Sequence, residues 1–324
     1  VPPLTRLLFI STKNRWFYRL TIITFLLTFA LIVLGTYSRV SSFGMTCKSW
    51  PQCTSVINAA HTLIIPAEMI HRYLTLLVAA LILLLTLSAP FFRKQFSSEP
   101  FLICLLLLPL AIMQVLLCKL TASNQVQPVI ILSHLMVGLA MLSLLWWISR
   151  ITSPDAAQIT HPSTRKIRPW AWVGLALLVS QIMLGAWVPT NFANVACDNF
   201  PYCNGQLLPA VDAKTLVALA NPMGKLDSDM LINIHLLHRI GILITAVYLG
   251  LFCMFLLFNR YLYQTAFFII LFLGAQISLN IINMNWQYPV KTVLGYDIIT
   301  IFLLLSVVTL LTNLYRKTQD YWYG

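Results

Sequence analysis

The chain has 324 residues, of which 59% are hydrophobic and only 9% charged, and its mean hydropathy is +0.82. Soluble domains are about 25% charged and about 45–50% apolar. A secreted enzyme, a nucleic-acid-binding domain and a disordered scaffold are therefore excluded, and the chain reads as a polytopic membrane protein embedded in a lipid bilayer. The formal charge of +12 is then an orientation signal, and no nucleic-acid partner is expected.

Eight apolar runs follow in chain order, at 20–38, 65–89, 100–118, 128–149, 170–189, 230–258, 261–282 and 290–314. Each is close to the roughly 20 residues that a helix needs to cross a bilayer. The runs are continuous and do not alternate, so helices rather than barrel strands are predicted. Pro90, Pro100, Pro128, Pro169 and Pro289 stand at or near span ends, where a missing N–H costs least. No cleavable signal peptide is expected, because the stretch after Arg19 is long enough to span and further spans follow. With the N-terminus inside, 13 Lys and Arg residues fall on cytoplasmic segments and 6 on outer ones, while Arg72 and Arg239 lie within spans. The positive-inside rule then places both termini in the cytoplasm of a cell's inner (cytoplasmic) membrane.

The two halves of the chain resemble each other. The first outer loop carries Cys47-Lys-Ser-Trp-Pro-Gln-Cys53 and the third carries Cys197-Asp-Asn-Phe-Pro-Tyr-Cys203, both C-x5-C with an aromatic-Pro pair at the same offset. Each follows a span with Leu-Gly near its outer end, Leu34-Gly35 and Leu184-Gly185, and the next span in each half carries His-Arg, at His71-Arg72 and His238-Arg239. Ser133-His134 in span four corresponds to Gly295-Tyr296 in span eight. The expected architecture is all-α: two tandem, pseudo-symmetric four-helix bundles, at 1–149 and 170–324, joined by a basic cytoplasmic linker at 150–169.

Cys104, Cys118 and Cys253 lie in or at the edge of apolar spans and read as small buried hydrophobes. The other four cysteines form two close pairs in loops facing the outer compartment, where such pairs usually become disulfides. A bridge closing so short a loop contributes less stability than a long-range one, and a short exposed bridge is easier to reduce. A stapled loop and redox participation of Cys47/Cys53 both stand. Zinc fits less well, since no His accompanies either pair.

Ionisable residues inside spans are expensive and default to functional roles. Glu68, His71, Arg72, His134, His235, His238, Arg239 and Asp297 all fall at or within spans. His71, His134, His238 and Tyr296 each come six to eight residues after an outward-facing span start, about 9–12 Å deep. Two imidazoles at equal depth on neighbouring helices suit axial ligation of a haem, and Arg72 and Arg239 suit a propionate or another carboxylate. Glu68 shares a helix face with His71 and Arg72. It can pair with Arg72, or it can face the edge of a porphyrin to stabilise positive charge or take a proton. His235 occupies the matching place in the second half, so the halves are not equivalent. His161 reads as solvated, and His61 lies just before span two.

Taken together, these residues resemble the haem A synthase family. The similarity runs from Leu34-Gly-Thr-Tyr-Ser-Arg39 and Cys47-x5-Cys53 through Glu68-Met-Ile-His-Arg72, Ser133-His-Leu, Gln181-Ile-Met-Leu-Gly-Ala186, Cys197-x5-Cys203-Asn-Gly and His235-Leu-Leu-His-Arg239. It implies an eight-helix membrane enzyme that oxidises the C8 methyl of haem O to a formyl group, with oxygen from water, to give haem A for cytochrome oxidase. It further implies a substrate haem between His71 and His134, Glu68 as catalytic carboxylate, Cys47/Cys53 as redox pair, and a haem b cofactor with His238 as a ligand in the second half. Implied partners are the synthase that supplies haem O and the cytochrome oxidase assembly machinery; self-association is left open. Two departures stand out. Tyr296 occupies the place of the family's fourth histidine, and Pro189-Thr190 stands where the first half has Ser38-Arg39. The second site is then held by His238 alone, by His238 with Tyr296 or His235, or is empty.

The expected mechanism is stepwise: electrons leave the methyl position, water attacks the cation-like carbon, and a second round gives a gem-diol that collapses to the aldehyde. A non-catalytic b-type haem protein, acting as an electron carrier or a haem-handling assembly factor, also accounts for paired histidines. An ion-coupled transporter accounts for the intramembrane charges but not for the cysteine pairs.

Overall fold

In hydrocarbon every backbone polar group must be satisfied within its own segment, and the apolar runs answer with helices. The computed structural model of the protein describes residues 4–41, 56–57, 63–64, 67–92, 98–121, 127–153, 166–197, 202–203 and 227–315. Among them are helices α1 (Leu4–Val40), α2 (Ala67–Ser88), α3 (Glu99–Thr121), α4 (Pro128–Thr152), α5 (Arg168–Thr190), α6 (Ser228–Leu257), α7 (Tyr263–Asn285) and α8 (Val290–Tyr315). Two-residue strands β1 (Val56–Ile57) and β2 (Leu63–Ile64) pair antiparallel between α1 and α2. All eight helices are long and apolar enough to cross a membrane. Only 17–44% of each most apolar window is buried, so most of that apolar surface faces outward, as lipid contact requires. The protein is a multi-pass membrane protein.

Side-chain hydroxyls in the spans are satisfied locally. Thr21, Thr24 and Thr28 donate to the carbonyls of Phe17, Leu20 and Thr24, at 2.9, 2.8 and 2.7 Å, the back-bonding that lets threonine sit in an apolar helix.

The chain forms two units. The first takes α1 to α3, α4 from Val137 onward and the end of α8 from Leu311. Here α1 packs on α2, and α2 on α3. Thr86 Oγ1 bridges the last pair by donating to the Cys104 carbonyl at 3.1 Å. Phe17 and Phe92 meet at 5.0 Å and Phe25 and Trp146 at 5.1 Å. Near the helix ends, Trp147 donates to Glu99 at 2.9 Å and Arg150 to Asn313 at 3.0 Å.

The second unit takes α4 up to Met136, α5 to α7 and α8 up to Leu310. Here α5 packs on α6, and α6 on α7, the same succession as in the first unit. Asp227 caps α6 by accepting from the Met230 N–H at 2.9 Å, which satisfies one of the orphan donors at a helix start. Leu132, Trp187, Val188, Ala193 and Ile234 form a core cluster uniting α4, α5 and α6. No comparably close backbone approach brings α8 to α5, α6 or α7 among the described residues. The α7–α8 turn is tight: Gln287 and Tyr288 both have positive φ, at 55° and 58°, a conformation that costs a non-glycine residue about 1 kcal/mol or more.

Candidate functional site

In the first unit, Glu68, His71 and Arg72 stand in the first turns of α2. Three- and four-residue spacing puts them on one helix face. Arg72 is 2% exposed and forms an ion pair with Glu68 one turn earlier. A buried guanidinium needs such a counter-charge, since desolvation otherwise costs several kcal/mol. The His71 imidazole lies directly against Gly35, where a Cβ would fall 2.9 Å from its Cε1. The glycine therefore opens a cradle into which only the ring fits.

The second unit repeats that cradle. Gly185 on α5 faces His238 on α6, and a Cβ at Gly185 would lie 3.0 Å from the His238 Cε1 and 3.7 Å from the Tyr296 hydroxyl. His238 and Tyr296 thus reach the same place from α6 and α8. A nitrogen and an oxygen donor meeting there form a set that suits ferric iron. Beside Tyr296 lies a small cavity of about 20 Å³, with Gln181, Thr245, Gln276, Asn280 and Tyr296 as its polar lining.

His238 has a further partner. Gln181 Nε2, one turn before Gly185, lies 2.8 Å from His238 Nδ1 and donates to the His238 carbonyl at 3.3 Å. Both residues are more than nine-tenths buried. Nothing in the composition of the span marks Gln181 as a histidine partner. The available signs are the cost of an amide among apolar neighbours and its place four residues before the cradle glycine. The glycines themselves are visible in sequence as paired Leu-Gly motifs, but their purpose appears only in three dimensions.

Two other residues of α6 hold the segment that follows α5. His235 is buried, with Nδ1 3.0 Å from the Ala193 carbonyl in the 3-10 turn after α5, so its ring serves that turn and does not line the cavity. Arg239 Nη1 donates to the Tyr202 carbonyl at 3.3 Å, and Nη2 approaches Met284 Sδ at 3.9 Å. Burial raises the Tyr288 phenol above its ordinary value, and the Arg239 charge opposes that rise. Between these anchors Cys197 and Cys203 are joined by a disulfide, Cα to Cα 4.6 Å. Cys104, Cys118 and Cys253 are buried thiols in α3 and α6.

His134 is partly buried, two turns into α4. Cys47, Cys53, His61 and His161 lie outside the described residues. The spans coincide with the expected ones to within a few residues, α1 excepted, which continues as helix back to Leu4.

Comparison with known proteins adds two findings. Residues 58–308 match the COX15-CtaA family, cytochrome oxidase assembly protein. The chain is also 30% identical over 329 residues to the heme A synthase of Shewanella oneidensis, across 94% of this chain and 98% of that one.

Proposed function

The chain belongs to the COX15-CtaA family of cytochrome oxidase assembly proteins, and on that footing we propose that it is a haem A synthase, an oxidoreductase that converts the C8 methyl of haem O to a formyl group. The observation that carries this reading is the repeated cradle, Gly35 with His71 and Gly185 with His238, in a chain similar to a heme A synthase over nearly its whole length. The proposed division is an N-terminal half at 1–149 that takes the substrate and a C-terminal half at 170–324 that holds a haem b cofactor. His71 is the proposed ligand of the substrate iron. His238 is the proposed ligand of the cofactor iron, with Tyr296 as the second donor.

When bound, haem b supplies a one-electron redox centre. The chain's own residues do the rest. Glu68, desolvated at the start of α2, is the group to stabilise positive charge at the oxidised methyl or to take the proton of the attacking water. Its pairing with Arg72 fixes the direction of the carboxylate. Cys47/Cys53 is the proposed redox pair and Cys197/Cys203 its structural counterpart. We place the protein in the inner (cytoplasmic) membrane with both termini in the cytoplasm, which reporter fusions at the C-terminus test directly.

The function is tested by extracting pigments from cells that make haem O with and without this protein. Haem A or a hydroxymethyl intermediate is the expected product. Purified protein carrying haem b alone, with haem O left unconverted, would overturn the reading in favour of an electron carrier.

A further inference from the structure

We infer that Gln181 is a positioning residue that sets the tautomer of His238, its side-chain amide turning over when the imidazole takes iron; this rests on His238 being an iron ligand, as proposed above. In the arrangement described, the amide nitrogen donates to Nδ1. The ring hydrogen must then sit on Nε2, the nitrogen a metal would need. Ligation through Nε2 requires the opposite tautomer, with Nδ1–H donating outward to an acceptor. Gln181 carries that acceptor on the same amide. Its Oε1 is buried and has no hydrogen-bond partner among the described residues, a state that buried polar atoms rarely keep without a reason. A half-turn of the amide presents Oε1 to Nδ1–H and removes the deficit.

Room for this amide is built into α6. At Gly241 a Cβ would fall 2.2 Å from Gln181 Oε1, so any larger residue displaces the amide from His238. The first unit differs at the matching position. Leu31 stands four residues before Gly35, where the second unit has Gln181 four residues before Gly185. A leucine carries no side-chain amide, so a partner that can turn belongs to His238 in the second unit.

The experiment uses the full chain with His71→Ala and His134→Ala, so that haem held through His238 dominates the signal. The protein is loaded with iron protoporphyrin IX, and the midpoint potential and spin state are recorded. Gln181→Glu, a stronger acceptor, should increase ligand basicity and shift the potential negative. Gln181→Leu should shift it positive, and Gly241→Ala should reproduce the Leu shift with the glutamine still present. A purely structural role would move the Glu and Leu variants in the same direction. Opposite shifts support the inference; bound haem with the parent potential in all three variants overturns it. Adding His238→Ala separates the two layers. If haem is lost there while the Gln181 variants match the parent, only the tautomer role fails. If the bound-haem spectrum survives His238→Ala unchanged, the ligand assignment has failed beneath it.

Discussion

Gly185 and His238 approach so closely that a single added methyl group would lie 3.0 Å from the imidazole Cε1, and Gly35 stands in the same relation to His71 at 2.9 Å. Space for the ring is thus written into the neighbouring helix. Gly35→Ala and Gly185→Ala should each displace one imidazole and lower haem occupancy about tenfold, a loss of about 1.4 kcal/mol of binding. Pyridine haemochrome assays on purified protein check this. Gly250→Ala, with nothing within 4 Å of the added carbon, should leave occupancy unchanged. It should stabilise α6 by about 0.5–1 kcal/mol through helix propensity.

Glu68 faces two demands, the charge of Arg72 and the chemistry of the substrate. Glu68→Gln keeps a hydrogen-bonding group in place, so bound haem should be retained while formyl production ceases. Haem analysis by chromatography reads both. Full haem A output from this variant would remove Glu68 from the mechanism. Glu68→Ala leaves the buried Arg72 without its partner and should also destabilise the protein, by about 3 kcal/mol, seen as a lower melting temperature in detergent.

Tyr296 offers oxygen where an imidazole would bind iron more evenly in both oxidation states. Tyr296→His should move the second unit's spectrum towards six-coordinate low spin and raise its potential. Absorption and electron paramagnetic resonance spectra measure the change, and an unaltered spectrum would exclude this position from coordination.

The Cys197–Cys203 bridge closes a loop with a sequence separation of 6. Replacing both residues with Ser should cost about 2 kcal/mol on chain-entropy grounds. Because Arg239 and His235 also anchor the segment, the loop should loosen without releasing α6. Limited proteolysis between residues 193 and 227 should accelerate, while the melting of the spans is little changed.

Spans are legible from sequence because lipid tolerates no interruption of the apolar run, so composition alone reveals them. Their ends are less legible. Ala89–Phe92 continues α2 as a 3-10 turn through Pro90, and α1 begins well before its apolar stretch. His71, His238 and their arginines stand out through repetition and depth. Their partners do not, because Gln181 and Gly241 meet across two helices separated by a long loop, and neither belongs to a local motif. The direction of Arg239, towards the Tyr202 carbonyl, likewise depends on where the chain returns after the disulfide, which spacing alone cannot state.

His235, His238 and Arg239 occupy little more than one turn of α6, yet two of them hold Ala193 and Tyr202 after α5 and the third packs against Gly185. Each residue inserted into a helix swings its downstream side chains by about 100°. One extra residue between His235 and His238 would keep the His235 contact at Ala193 while swinging the His238 imidazole out of its slot and Arg239 away from the Tyr202 carbonyl. This single turn acts as a phase key between the segment after α5 and the glycine cradle, and insertions or deletions that other stretches absorb would be lethal to activity here.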